Sequence, residues 1–264
     1  IMQNKKGIVV AGTHGKTTSS ALLAHVLRVG GLNPSHYVGA EIPLLGTNAH
    51  WDHAGEHLVA EGDESDGSLV NFHPEITLLL NVEEEHLDHY SGLNEIMAVF
   101  RKILRQTSGF VVYCGDDVNA SIVGVELGER GFSYGLNHDC DYAAGVISAD
   151  GQSSQFSVFR KGELLGRVEL NIPGQHNALN AMGVIAIAIE LGVGFDQINQ
   201  ALSTFRGARR RFDRKYTSPH YQIVDDYGHH PTEVAATLET ARSQQPERLI
   251  VLFQPHRYTR TQKL

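Results

Sequence analysis

The hydrophobic pattern along the chain predicts a parallel β-sheet covered by helices. Short apolar runs of strand length alternate with segments in which apolar residues recur at helical spacing. The apolar runs lie at residues 7–11, 57–61, 76–82 and 110–113, and the helical segments at 17–29, 93–106 and 117–130. Strands buried on both faces are typical of parallel sheets, and their alternation with helices indicates βαβ units.

The pattern changes between residues 142 and 170, where apolar and polar residues alternate. The alternation is clear in Gln155–Phe159 and Arg167–Leu170, and the glycine-containing pairs Asp150-Gly151 and Lys161-Gly162 interrupt it. Strict alternation interrupted by turn residues is typical of antiparallel strands with one exposed face. We therefore predict a small antiparallel meander attached to the main sheet.

Two helices and a linker follow Pro173-Gly174. A strongly apolar helix extends to Leu191, a shorter one covers 196–205, and residues 207–214 lack any apolar period. Beyond this linker the pattern predicts a strand at 221–224, a helix at 231–243 and a strand at 248–253. A unit of about 50 residues buries too little surface to be stable alone. The predicted division is a domain at 1–206, a linker at 207–214, and the first part of a longer domain at 215–264.

Composition excludes several classes of function. The chain has 264 residues, 41% of them hydrophobic, which suits a compact α/β protein, and a net charge of −8, which disfavours nucleic acid or an anionic membrane as a partner. Two cysteines, Cys114 and Cys140, are too few for a disulfide framework. The longest apolar runs fall short of a membrane span. We expect a cytoplasmic protein that binds neither nucleic acid nor membrane; the sequence leaves its oligomeric state open.

The chemistry centres on a glycine-containing turn between the first strand and the first helix. The turn reads Gly12-Thr13-His14-Gly15-Lys16-Thr17-Thr18. A loop of this kind directs backbone N–H groups and a helix N-terminus toward one anion. Lys16 would contact the β- and γ-phosphates of a nucleotide, and the Thr17 hydroxyl would reach Mg²⁺. Val10 stands where the full phosphate-loop consensus has glycine, so the match is to a shorter form.

Acidic and imidazole side chains follow two other predicted strands. Glu61 begins the run Glu61-Gly62-Asp63-Glu64-Ser65-Asp66, and His86 and Asp88 follow the strand at 76–82. Ligands of open α/β sheets bind at the carboxyl ends of the strands. Glu61, which is nearest its strand, is the predicted Mg²⁺ ligand, and His86 faces the same cleft. A solvated acidic loop and a surface histidine remain the alternatives.

Taken together, the motifs resemble those of the Mur ligases. They are Gly12–Thr18, Glu61–Asp66, Asn81–Asp88, His176–Asn180, Arg210–Asp213, Asp225–Glu233 and Phe253–Arg260. The resemblance implies an ATP-dependent amide ligase, using Mg²⁺, that joins L-alanine to UDP-N-acetylmuramate through an acyl phosphate in peptidoglycan precursor synthesis. It also implies a P-loop central domain and a partial Rossmann-like C-terminal domain, with a UDP-binding domain before Ile1 and further C-terminal sequence after Leu264.

The same resemblance assigns roles to individual residues. Lys16, His86, Arg211 and His230 are the expected catalytic residues, and Thr17, Glu61 and His86 the expected metal ligands. The expected nucleotide-binding residues are Gly12, Thr13, His14, Gly15, Lys16, Thr17, Thr18, Asn177, Asn180, Arg211 and Asp226. Asn177 and Asn180 lie at i and i+3, so they share a helix face and suit the adenine, although polar helix-capping residues would look alike. His229, His256, Arg257 and Arg260 are weaker candidates for the substrate side.

Three alternative functions stay open. A related ligase that attaches a tripeptide to UDP-N-acetylmuramate shares the phosphate loop and the His229-His230-Pro231 element. The chain by itself could instead be a nucleotide-binding module without turnover. A generic P-loop ATPase or a folylpolyglutamate-type ligase would lack the Asp226–Glu233 and Pro255–Arg260 elements.

Overall fold

A ten-stranded sheet organises the computed structural model, which describes residues 4–149, 151–256 and 258–263. The strand order is β10-β9-β8-β7-β6-β5-β1-β4-β2-β3. The strands are β1 Lys6–Ala11, β2 Ser35–Tyr37, β3 Ala49–His50, β4 His57–Glu61, β5 Ile76–Leu79, β6 Phe110–Cys114, β7 Gly131–Gly135, β8 Tyr142–Ala149, β9 Ser154–Arg160 and β10 Glu163–Leu170. Pairing is parallel from β2 to β8 across the centre and antiparallel at both edges, which confirms the predicted parallel sheet and meander.

Seven helices accompany these strands in the part of the chain that the structure describes. They are α1 Lys16–Val29, α2 Leu93–Gln106, α3 Val118–Gly124, α4 Gln175–Glu190, α5 Phe195–Thr204, α6 Pro231–Ser243 and α7 Tyr258–Lys263. Helices α1, α4 and α5 pack against one another, and α2 packs against α3. Four consecutive residues of β1, Ile8 to Ala11, have no exposed surface, so both faces of the central strand are covered. None of the described helices is both long and apolar enough to span a membrane.

The position of β1 determines where the glycine-containing turn Gly12–Thr18, called the phosphate loop below, lies in the fold. β1 lies between β4 and β5, with Val10 opposite Glu61 and Ala11 opposite Leu79. Because all three strands run in the same direction, the segments that follow them emerge side by side. The loop before α1, the acidic segment after β4 and the segment after β5 therefore share one edge of the sheet.

Two predicted elements differ from the structure near the middle of the chain. The predicted helix at 117–130 is α3 followed by a 3₁₀ segment, Val125–Arg130, and Gly128 inside that segment has a φ of 59°, which interrupts helical geometry. Strand β7, Gly-Phe-Ser-Tyr-Gly, carries no continuous apolar run and was not predicted. It forms because the edge of β6 offers it a parallel partner.

The C-terminal part also departs from prediction. Strand β11 (Asp213–Thr217) begins inside the predicted linker 207–214 and pairs antiparallel with β12 (Gln222–Asp225). The strand predicted at 248–253 is wrong: these residues have no strand assignment, and Leu252 is 98% exposed. A strand needs a neighbour for its backbone hydrogen bonds, and no described strand pairs with this run. The domain boundaries stay a prediction.

Burial of His25 should make stability depend on pH. His25 on α1 is 7% exposed, its Nε2 lies 3.0 Å from Thr204 Oγ1, and burial lowers its pKa, with a smaller contribution from Arg28. The unfolded chain takes up this proton near pH 6.5 and the folded chain only below that. The free energy of unfolding therefore falls below about pH 6.5, by at most about 1.4 kcal/mol per pH unit.

The variant His25→Gln can retain a hydrogen bond to Thr204 but has no imidazole to protonate. When the pH is lowered from about 7.5 to about 5.5, we expect its free energy of unfolding to fall less than that of the unchanged chain. Urea unfolding at both pH values measures the difference. His220→Gln, at an exposed position, is the control and should behave as the unchanged chain does. Equal pH dependence in the His25 variant would contradict the prediction.

Candidate active site

The phosphate loop has the backbone conformation that its glycines permit. Gly12 and Gly15 have φ values of 143° and 83°, a region that residues with a side chain rarely adopt. A Cβ on Gly15 would lie 2.8 Å from Asn180 Nδ2, and one on Gly12 would lie 3.0 Å from Leu80 Cβ. Both glycines are therefore required by conformation and by close packing.

Asn81, just after β5, holds the loop in place. Its Oδ1 accepts a 2.7 Å hydrogen bond from the His14 amide, its Nδ2 donates to the His14 carbonyl at 3.1 Å, and its own carbonyl accepts from the Thr13 amide. The Thr13 hydroxyl accepts a further bond from the Glu83 amide at 2.9 Å. The loop is thus tied to the next strand end by backbone and side-chain hydrogen bonds.

Lys16 is held by Glu64, a carboxylate that the sequence pattern does not distinguish from its acidic neighbours. Its Nζ donates to Glu64 Oε2 at 2.8 Å and to the carbonyls of Gly12 and Thr13 at 2.7 and 3.0 Å. Glu64 is only 1% exposed. The phosphate-loop lysine therefore sits at the centre of the loop, partly neutralised by a buried acid.

Two of the three predicted metal ligands lie in contact. The Thr17 hydroxyl donates to Glu61 Oε1 at 2.9 Å, and Glu61 Oε2 accepts from the Gly39 amide at 2.8 Å. His86, the third, has its Nε2 3.5 Å from Glu64 Oε1 and 3.9 Å from Glu85 Oε2. The structure therefore brings Thr17 and Glu61 together and places His86 beside Glu64.

A cavity of about 710 Å³ opens beside the loop, between the main sheet and the C-terminal part. Asn177 and Asn180 line it from the first turns of α4, and Arg211 and Asp226 line it from the opposite side. The side-chain Nδ2 of Asn177 donates to the Pro173 carbonyl at 2.6 Å, while the Asp226 carboxylate accepts from the backbone amides of Phe212 and Gly228 at 2.8 and 2.7 Å. The predicted base-reading amides and the predicted linker arginine thus face one space.

A cluster of charged side chains connects the phosphate loop to α6. His14 Nδ1 lies 3.4 Å from Glu233 Oε1, and His14 Nε2 lies 3.4 Å from Glu83 Oε2. Arg211 Nη1 is 3.5 Å from the same Glu233 oxygen. Burial opposes the charged imidazole, but Glu233 and Glu83 raise the pKa of His14 to about 9. Burial likewise opposes ionisation of Glu233, yet His14 and Arg211 hold its pKa well below the usual range.

His230 caps α6 at the same junction. Its Nδ1 accepts a 3.3 Å hydrogen bond from the Thr232 amide, and its ring centroid lies 4.5 Å from that of His14. Burial, and then the charge of His14, lower the pKa of His230, which favours the neutral imidazole. Thr232 Oγ1 donates to Glu83 Oε2 at 2.7 Å, a second link between the main sheet and α6.

The weaker substrate-side candidates lie near this junction. The rings of His229 and His256 are 5.3 Å apart, and Arg260 is hydrogen-bonded to the buried Glu85. Arg257 lies outside the described residues.

Sequence reasoning missed three carboxylates: Glu64, Glu83 and Glu233. All three lie in the motifs that resemble those of the Mur ligases, but their partners are distant in sequence. Lys16 is 48 residues from Glu64, and Glu83 is 149 residues from Thr232. The acidic character of the motifs was the only available signal.

Neutralising Glu233 should loosen α6 from the main sheet. Glu233→Gln removes the charge that pairs with His14 and Arg211, and a hydrogen bond to a charged group contributes about 1.5 kcal/mol or more. Amide hydrogen exchange in α6 should become roughly tenfold faster or more. Glu239→Gln, at an exposed position on the same helix, is the matched control. Unchanged exchange in the Glu233 variant would contradict the link.

Comparison with known proteins identifies the fold. The sequence pattern of the Mur ligase middle domain matches residues 10–188, and that of the Mur ligase, glutamate ligase domain matches residues 210–264. A protein from Syntrophotalea carbinolica named UDP-N-acetylmuramate–L-alanine ligase is 42% identical over 100% of this chain and 58% of its own length. The chain thus spans somewhat over half of that curated relative.

Two solved structures extend the comparison. UDP-N-acetylmuramate-alanine ligase from Thermotoga maritima is 32% identical, with a TM-score of 0.85 over 97% of this chain and 58% of its own. UDP-N-acetylmuramate:L-alanyl-gamma-D-glutamyl-meso-diaminopimelate ligase from Neisseria meningitides is 28% identical, with a TM-score of 0.69 over 80% of this chain and 69% of its own. Since the middle-domain pattern alone covers more than half of the sequence, the chain belongs to the Mur ligase family.

Proposed function

We propose that the chain is the nucleotide-binding and phosphoryl-transfer part of a ligase that uses ATP and Mg²⁺ to join L-alanine to UDP-N-acetylmuramate in the cytoplasm. The observation that carries the proposal is the 42% identity, over the whole chain, to a curated protein of that name. The geometry supports it because a phosphate loop, strand-end carboxylates and a large cavity lie together. The chain spans 58% of that relative's length, so we propose the complete reaction only for a protein that includes the remaining part.

ATP fits the cavity with its phosphates on the loop. The phosphate-binding residues are Gly12, Thr13, His14, Gly15, Lys16, Thr17 and Thr18. Asn177 and Asn180, 7% and 8% exposed, offer amide donors and acceptors to the adenine, which suits the two-sided hydrogen-bonding edge of that base. Arg211 and Asp226 approach from the C-terminal side.

The residues at the strand ends fit Mg²⁺. The hydroxyl of Thr17 and the carboxylate of Glu61 are hard oxygen donors already in contact, and buried Glu64 Oε1 has no hydrogen-bond partner among the described residues. Oxygen donors are what Mg²⁺ prefers. Thr17 and Glu61 would hold the ion, and His86, which lies beside Glu64, is the third proposed ligand. When bound, it would offset negative charge on the phosphates.

The chemistry requires two anions to meet. A carboxylate oxygen of UDP-N-acetylmuramate attacks the γ-phosphorus, ADP leaves, and an acyl phosphate forms. The alanine nitrogen then attacks the carbonyl carbon, and inorganic phosphate leaves as the amine loses a proton. Lys16 stabilises the charge on the transferring phosphoryl group, Arg211 adds charge from the C-terminal side, and neutral His230 is placed to accept the proton.

Lys16→Ala should abolish turnover. Removing the positive charge that stabilises the transferring phosphoryl group should lower kcat by roughly a hundredfold or more. Phosphate release that depends on both UDP-N-acetylmuramate and L-alanine measures this, in the chain and in any longer protein that contains it. Lys102→Ala, at an exposed position on α2, is the control. Near-normal turnover without Lys16 would refute the mechanism.

Two further measurements separate the alternatives. The higher similarity to the Thermotoga maritima structure than to the Neisseria meningitides one favours L-alanine over a tripeptide as the amine. Preferred coupling of the tripeptide would reverse that choice. ATP binding by the chain without alanine-dependent phosphate release would show that these 264 residues form a binding module only.

Glu64→Gln should separate positioning of Lys16 from nucleotide binding. The amide retains the size of the side chain but removes the charge that holds Nζ. We expect kcat to fall roughly tenfold or more, while ATP affinity measured by calorimetry stays at least as high as in the unchanged chain, because a repelling charge is removed. Asp63→Asn, at an exposed position in the same segment, is the control. Unchanged kcat would show that Glu64 has no part in the reaction.

A further inference from the structure

A second group of side chains that could hold a metal ion consists of residues other than Thr17 and Glu61. The group comprises His14 on the phosphate loop, Glu83 after β5 and His230 at the start of α6, and one ligand atom from each lies within 4.8 Å of the others. The three side chains are 11%, 32% and 6% exposed. Three segments distant in sequence therefore present two imidazoles and one carboxylate to a common point.

Two of the three distances are close to those in a tetrahedral metal site. Glu83 Oε2 lies 3.4 Å from His14 Nε2 and 3.7 Å from His230 Nδ1. Metal bonds of about 2.0 to 2.1 Å at tetrahedral angles separate neighbouring ligand atoms by roughly 3.4 Å. Glu83 is therefore close to coordination spacing from both imidazoles, and all three ligand atoms lie within 4.8 Å of one another.

The hydrogen bonding at this point is incomplete. His14 Nδ1 and Nε2 each face a carboxylate oxygen at 3.4 Å, of Glu233 and Glu83, without forming a hydrogen bond, and the only hydrogen bond at His230 Nδ1 among the described residues is the 3.3 Å one from the Thr232 amide. Buried polar atoms normally have partners. Thr232 Oγ1, which donates to Glu83 Oε2 at 2.7 Å, already supplies the outer hydrogen bond that commonly orients a ligating carboxylate.

We propose that His14, Glu83 and His230 form a binding site for a divalent transition-metal ion of the zinc class. Two imidazoles and a carboxylate, with a fourth position open to water, form a ligand set that zinc accepts. Magnesium prefers oxygen donors, so it does not compete effectively here. The chain thus has a nitrogen-rich site beside the oxygen site proposed for magnesium. A bound ion would join the phosphate loop to α6, would replace the proton on the ligating nitrogen of His14, and would exclude the phosphate-binding and proton-accepting roles proposed above for His14 and His230.

Titration of the chain with Co²⁺ in excess Mg²⁺ tests the site. We expect one equivalent to bind with the intense visible absorption of tetrahedral cobalt, and Zn²⁺ to displace it. Glu83→Gln removes a ligand from a partly exposed segment and should weaken binding roughly tenfold to a hundredfold. His14→Ala and His230→Ala should weaken it at least as much. Circular dichroism without metal confirms that each variant is folded.

The controls address the histidines outside the site, because the chain has 15 histidines in all. The double variant His229→Ala and His256→Ala removes an imidazole pair outside the site, one member of which is next to His230 in the sequence, and should retain the cobalt spectrum. Anomalous diffraction from a zinc-soaked crystal of the unchanged chain should place the ion among His14, Glu83 and His230. Loss of binding in the double variant, unchanged binding in Glu83→Gln, or an anomalous peak elsewhere would overturn the proposal. The readout is metal binding, so it does not depend on ligase activity.

Discussion

The parallel pairing of β1 with β4 and β5 is the constraint on which the rest of the site depends. The register sets Val10 opposite Glu61 and Ala11 opposite Leu79, so three strands end together at one edge. The phosphate loop, the acidic segment and the Asn81 segment emerge there. A shift of one residue in a strand would reverse the faces on which its side chains lie and move Glu61 away from Thr17. The chemistry of the site is therefore a consequence of sheet register.

Much of this fold could be predicted because its signals are local. The bounds of α2 and α6 coincide with the helical segments predicted at 93–106 and 231–243, and the apolar β1 run and loop glycines have strong local preferences. The partner of Lys16 could not be predicted. Four acids lie in the segment 61–66, and local sequence does not reveal which of them contacts Lys16, which is 48 residues earlier than Glu64. Nearness to the strand selected Glu61, which does contact Thr17, whereas Lys16 pairs with Glu64.

The errors in the C-terminal part have the same origin. Residues 248–253 have the composition of a strand, but an apolar run becomes a strand only when a neighbour accepts its backbone hydrogen bonds. Asp213 and Arg214 look like a linker by composition, yet they pair with Asp225 and Val224. Strand formation is a property of pairs of segments, so a pattern read along one segment predicts helices more reliably than strands.

Two sets of carboxylates contact the phosphate loop, and their negative charge limits how the loop can bind an anion. Lys16 is directed to the buried Glu64 and His14 to Glu83 and Glu233, so the two cations of the loop are already balanced by carboxylates. An arriving phosphate meets those acids as well as the cations, and repulsion between buried like charges is costly. The side chains of Lys16 and His14 alone therefore cannot supply the net attraction for a nucleotide. Backbone N–H groups at the start of α1 must therefore contribute, and the positive φ values of Gly12 and Gly15 shape the turn that presents them.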